Sequence, residues 1–115
     1  MVHQLKELVA QLGLEVLAGK ELIDRPVRGG YASDLLSCVM KGAGKDVLWV
    51  TLQFHLNVVA VASLLEMAAI VITEGNRPEA ETIARAEGEG VVLLATPRTT
   101  FTLVGQLSGL GVNGA

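Results

Sequence analysis

Three uncharged apolar runs, Val47–Val50, Ala69–Ile72 and Val91–Ala95, limit what this 115-residue chain can fold into more than any other feature. Each has the length of a strand rather than a helix. None alternates with polar residues, so both faces of each run must be covered. That is the pattern of parallel strands between helical layers. The intervening segments supply those helices. Val58 to Met67 is apolar nearly all round, and a second segment begins near Pro78 and stops at Gly88 and Gly90. The expected class is therefore α/β: a three-layer α/β/α arrangement on a mixed, largely parallel sheet. The irregular first third is where strands of other directions would enter. A chain of this length can bury a core without disulfides or metal, and residues 1–115 read as one domain.

The remaining elements follow from local chemistry. Leu5, Leu8, Val9 and Leu12 recur at helical spacing, and Gly13 follows as a stop. Leu14 to Leu17 predicts a short strand, and Asp24, Arg25 and Pro26 a turn. Val27 to Tyr31 predicts a second strand in which Gly29 and Gly30 hint at close backbone approach. Ser33 and Asp34 offer N-cap oxygens to a helix presenting Leu35, Leu36, Val39 and Met40, which the glycines at 42 and 44 end. Asn76 and Arg77 lead into a helix with Pro78 at its first position and Glu79 and Glu81 in its first turn. Thr99 or Thr100 caps a last helix carrying Phe101, Leu103, Val104 and Leu107.

Charge and cysteine usage exclude several function classes. Only 18% of the residues are charged, against about 25% in typical soluble proteins. Such a surface is either sparsely charged or covered by a partner. With the uncharged tail from Thr99 to Ala115, this predicts a homodimer or higher oligomer. A net charge of −3 without a basic cluster argues against nucleic-acid binding. The lone Cys38 cannot form an internal disulfide and fits a reducing cytoplasm; its apolar neighbours predict a small buried hydrophobe. The first seven residues lack the basic-then-apolar order of a signal peptide. The uncharged stretch 47–65 approaches the length of a membrane span, but Thr51, Gln53, His55, Asn57 and Ser63 would be costly in lipid. A buried strand followed by a buried helix is the better reading.

In open α/β sheets ligands gather beyond the carboxyl ends of the strands. The first apolar run leads into a comb of alternating polar residues, Thr51, Gln53, His55 and Asn57. Strict alternation would permit one long half-buried strand. The usual strand length favours a stop near Leu52, with His55 or Asn57 opening the next helix. Thr73, Glu74 and Gly75 follow the second run and Thr96 the third, and Ser33 and Asp34 open a helix that can share the same edge. The candidate ligand-binding set is thus Ser33, Asp34, Thr51, Gln53, His55, Asn57, Thr73, Gly75 and Thr96. Against it stands a plainer reading, in which Thr51, Asn57 and Thr96 cap helices and satisfy loop backbone. As a general base His55 would need a partner, and Asp34 is the one the rim suggests. His3 is placed in the first helix, and no second histidine lies at ligand spacing, so no metal and no cofactor are expected.

Two apparent phosphate motifs fail. Gly42, Ala43, Gly44 and Lys45 mimic a Walker loop, but Val39 stands where a glycine belongs and Asp46 replaces the Ser or Thr that would hold magnesium. Gly109, Gly111 and Gly114 have dinucleotide-fingerprint spacing, but they follow a helix rather than a strand. No recognisable catalytic constellation remains.

The segments Gly30–Ser37, Leu48–Ala62 and Ile72–Gly75 resemble the DRTGG domain family. More narrowly they resemble its small stand-alone members, similar to the N-terminal domain of HPr kinase/phosphorylase and to a middle domain of some phosphotransacetylases. The resemblance covers nearly the whole chain. It implies a three-layer α/β fold with a mixed sheet and a regulatory or ligand-sensing role, but not kinase activity, because the kinase's P-loop domain is absent. The family's Thr-Gly-Gly step appears here as Thr73-Glu74-Gly75, which sets a carboxylate against any anion cradle at that turn. The leading expectation is a non-catalytic module binding a small anionic or nucleotide-like ligand at the strand-end rim. A module docking a protein partner such as a kinase or metabolic complex, and a phosphotransfer enzyme using His55 and Asp34, are the alternatives.

Overall fold

The computed structural model describes residues 2–115. Its elements in chain order are β1 (His3–Gln4), α1 (Leu5–Leu12), β2 (Glu15–Ala18), a 3₁₀ turn (Lys20–Leu22), β3 (Pro26–Val27), β4 (Gly29–Ala32) and α2 (Leu36–Gly42). Then follow β5 (Val47–Thr51), α3 (Asn57–Leu64), β6 (Ala69–Ile72), α4 (Ala80–Glu89), β7 (Leu93–Ala95) and α5 (Thr100–Gly109). The main sheet has the order β2-β7-β6-β5-β4. Strands β4 to β7 run parallel, while β2 joins β7 antiparallel. β1 and β3 form a separate antiparallel ribbon. The fold is a three-layer α/β/α sandwich on a mixed sheet.

Register divides the core in two. Tyr31, Trp49, Ile70 and Leu93 are successive partners across the sheet and point to one face; Val50, Val71 and Leu94 point to the other. On the first face they meet Val39 of α2, Val58, Val59 and Ala62 of α3, and Ala86 of α4. On the second they meet Leu5, Leu8 and Leu12 of α1 and Leu103 and Leu107 of α5. Three successive right-handed crossovers in one direction must set α2, α3 and α4 on the same side. The opposite face is left to α1 and α5.

Both middle strands are buried at every position, as their unbroken apolar runs require, and β5 stops at Thr51, next to the predicted Leu52. The uncharged stretch 47–65 is β5, a short loop and α3, and among the described residues no helix is long and apolar enough to cross a membrane. The close approach expected at the paired glycines is present. The C-terminal tail bridges Gly30 through Gly114, and a Cβ on Gly29 would lie 3.2 Å from the Asn113 carbonyl oxygen.

Several local expectations are corrected. Val27 to Tyr31 is not one strand: β3 pairs with β1 and β4 with β5, and the chain changes sheet at Arg28, whose N–H donates to the Asp46 carbonyl. Pro78 does not open α4. The helix starts at Ala80 with Glu79 as N-cap, after Asn76 and Arg77 have bonded to Leu52 and Glu15. His3 lies in β1 rather than in the first helix. Cys38 and Met40 are exposed, because the short α2 turns only Leu36 and Val39 inward. Asp46, at the false Walker loop, is buried between Arg25 at 3.4 Å and Arg28 at 3.3 Å.

Candidate functional site

The end of β5 is joined to the loop after β4 by a dense set of bonds. Thr51 is buried; its hydroxyl donates to Asp34 Oδ1 at 2.8 Å and accepts from the Gln53 N–H at 3.1 Å. The same Asp34 oxygen accepts the Leu52 N–H at 2.8 Å, and Gln53 Nε2 donates to the Asp34 carbonyl at 2.9 Å. Trp49 Nε1 holds the Ser33 carbonyl at 2.9 Å, and Ser33 Oγ accepts the Leu35 N–H at 3.2 Å. A carboxylate gains more from two donors on the neighbouring strand end than from a frayed helix start. That is why α2 begins with Leu35 as N-cap and no side-chain cap, contrary to the expected capping by Ser33 or Asp34.

A second set closes the ends of β6 and β7. The Thr73 N–H donates to the Thr51 carbonyl at 2.9 Å, and the buried Thr73 hydroxyl reaches both that carbonyl at 3.3 Å and Thr100 Oγ1 at 2.6 Å. Thr96 Oγ1 accepts from the Arg98 main-chain N–H and from Arg98 Nη1, each at 3.2 Å. The Gly75 N–H donates to the Thr96 carbonyl at 3.3 Å. Glu74 and Gly75 are both left-handed, with φ of 65° and 74°, so the turn uses at Glu74 a conformation that favours glycine. The Glu74 carboxylate accepts the Thr100 N–H at 2.9 Å, while Thr99 Oγ1 takes the Thr102 N–H at 3.2 Å. The positive end of α5 therefore faces the protein's own carboxylate.

His55 and Asn57 go elsewhere. Asn57 opens α3, and both residues line a cleft of about 510 Å³ with Leu56, Ala60 and Arg85 of α4. The His55 ring stacks on Phe54, with centroids 4.9 Å apart and 25° between planes. Among the described residues neither the His55 nor the Asn57 side chain enters a hydrogen bond. The Asp34 partner that His55 would need as a general base is not available to it, since Asp34 is held by Thr51 and Leu52. Arg85 Nε donates to Glu89, whose hydrogen bond and charge hold the guanidinium above its ordinary pKa.

The comb thus splits after Gln53. Asp34, Thr51, Gln53 and Thr73 form one continuous network, Ser33, Gly75 and Thr96 lie beside it, and His55 and Asn57 share the α3–α4 cleft. Glu74, Arg98 and Thr100 in these strand-end bonds, and Arg85 in the cleft, lie outside the residues expected from the sequence. Thr73-Glu74-Gly75 carried a signal for the first group. Arg85 had none of its own; only the same-side stacking of α3 and α4 brings it near His55. Among the described residues no group of three or more His, Cys, Asp or Glu side chains is placed to hold a metal ion.

Residues 34–110 match the DRTGG domain. No curated protein matches the chain. Among solved structures it is similar to the CBS and DRTGG domains of the regulatory region of Clostridium perfringens pyrophosphatase, crystallised with the activator diadenosine tetraphosphate. The TM-score is 0.71 at 16% identity, over 88% of this chain and 44% of that one. The chain thus spans less than half of that regulatory region, and the likeness establishes a shared fold. With the domain match covering well over half of its length, the chain belongs to the DRTGG domain family.

Proposed function

We propose that this domain is a non-catalytic regulatory module of the cytoplasm that senses a small anionic or nucleotide-like ligand and self-associates. The observation that carries the reading is the division of polar groups at the strand ends. Hydroxyls and a carboxylate that could serve acid–base chemistry are held by protein partners, whereas His55, Asn57 and the far side of Arg85 are free for a ligand. The relation to a pyrophosphatase regulatory region supports a regulatory role and suggests nucleotides as first probes. The narrower resemblance to the HPr kinase/phosphorylase N-terminal domain points the same way. Self-association is supported by α5, which carries no charged residue and leaves Phe101 90% exposed.

A thermal-shift screen of nucleotides and phosphorylated metabolites tests the sensing role. A ligand at 100 times its Kd should add about 2.7 kcal/mol, a rise on the order of 10 °C for a domain of this size. No shift with any anion would overturn it. Sedimentation that finds only monomer at high micromolar concentration would overturn self-association. ATP turnover lost in His55→Ala or Asp34→Asn would overturn the non-catalytic reading.

A further inference from the structure

We propose that the cleft between α3 and α4 is the ligand site, and that it takes a phosphate monoester carrying a planar ring, the class of a nucleoside monophosphate. This rests on the ligand-sensing reading and gives it a place and a chemistry. Four cavities invite comparison. The groove beside β4 and the C-terminal tail is lined mainly by Tyr31, Val50, Val104, Leu107 and Val112 and offers no cation. In the cavity near β2, Arg77 is committed to Glu15 through two bonds of 2.7 and 3.0 Å. In the fourth, Arg25 is paired with Asp46, and Glu66 and Glu89 would repel an anion.

In the α3–α4 cleft the cation is also paired with a carboxylate, but through one nitrogen only, and an amide and an exposed ring stand beside it. Arg85 uses Nε toward Glu89, and among the described residues neither Nη enters a hydrogen bond. A guanidinium has five N–H donors in a fixed fork, so its outer edge can still take two oxygens of a phosphate. Asn57 sits across the cleft with an amide donor, and Leu56 and Ala60 supply an apolar floor. His55 is exposed while stacked on Phe54, so a planar ring can extend that stack. The volume of about 510 Å³ lies within the range of small-molecule sites. Glu89 and Glu81 are the opposing charges near Arg85, and Glu89 must share the guanidinium with an incoming phosphate.

Calorimetric titration with AMP, adenosine and inorganic phosphate tests the assignment on wild type, Arg85→Gln, Glu89→Gln and Arg77→Gln. AMP should bind one per chain and more tightly than either fragment. Arg85→Gln should weaken AMP at least tenfold, Glu89→Gln should strengthen it, and Arg77→Gln should leave it unchanged. Because the Arg85 side chain is 55% exposed, its variant should melt like wild type without ligand. AMP binding indifferent to Arg85→Gln would overturn the site while leaving ligand sensing intact. Failure of AMP to bind would overturn the ligand class, and a thermal shift with some other anion would then show that sensing itself survives. Failure of every anion would remove both.

Discussion

Asp34 and Glu74 show how single residues settle the character of the strand-end rim. Both are carboxylates beside helix starts, yet each reaches across to a different segment. The sequence made Asp34 legible as a helix cap, because the cap pattern is local. Its actual partners, Thr51 and Leu52, lie at the end of another strand and just beyond it, and depend on β4–β5 pairing that no short motif encodes. Replacing Asp34 with Ala removes two bonds and should cost about 1–3 kcal/mol in urea unfolding. Thr51→Val, which keeps the buried shape but loses both hydroxyl bonds, should cost about 1–2 kcal/mol. Glu74 adds a backbone test. At φ of 65° a side chain is strained, so Glu74→Gly should be more stable than Glu74→Ala by about 1 kcal/mol, both having lost the bond to Thr100. Equal stabilities in the two variants would mean that the left-handed turn is not kept.

At the scale of elements, legibility follows how local the determining forces are. The two central strands, α1 with its glycine stop and α5 with its Thr99 cap were readable, since burial periodicity and end signals lie within each segment. The division of β3 from β4 was not, because it depends on which partner each half finds. The late start of α4 was hidden for a related reason: Arg77 leaves the helix pattern to form an ion pair with Glu15 of β2. That pair has a pH signature. The Arg77 hydrogen bond, aided by its charge, holds the Glu15 carboxyl below its ordinary 4.5 despite partial desolvation. The folded state therefore binds this proton more weakly than the unfolded chain. The resulting stability is present above pH 4.5 and is lost as pH falls through the lowered value. Being exposed, the pair should contribute little and respond to salt. Urea unfolding of wild type against Glu15→Gln should give a small difference at pH 7 that vanishes on acidification; a difference that grows would contradict the assignment.

For the whole molecule, composition and topology answer different questions. Apolar runs and helical spacers were enough to anticipate the three layers. Consecutive crossovers then set α3 beside α4, a consequence of sheet order and not of any residue pattern. The polar comb was therefore visible as a row but not as two separate groups of residues. If α5 carries the self-association surface, Phe101→Glu should shift sedimentation to monomer and make the melting temperature independent of protein concentration, the single chain losing no core contact because Phe101 is 90% exposed. The division of the comb is most directly tested by following backbone and side-chain NMR signals during titration with AMP. The predicted result is perturbation at Phe54, His55, Asn57 and Arg85, with Asp34, Thr51, Thr73 and Thr96 unmoved. Perturbation concentrated at Asp34, Thr51 and Thr73, with His55 and Arg85 silent, would contradict it.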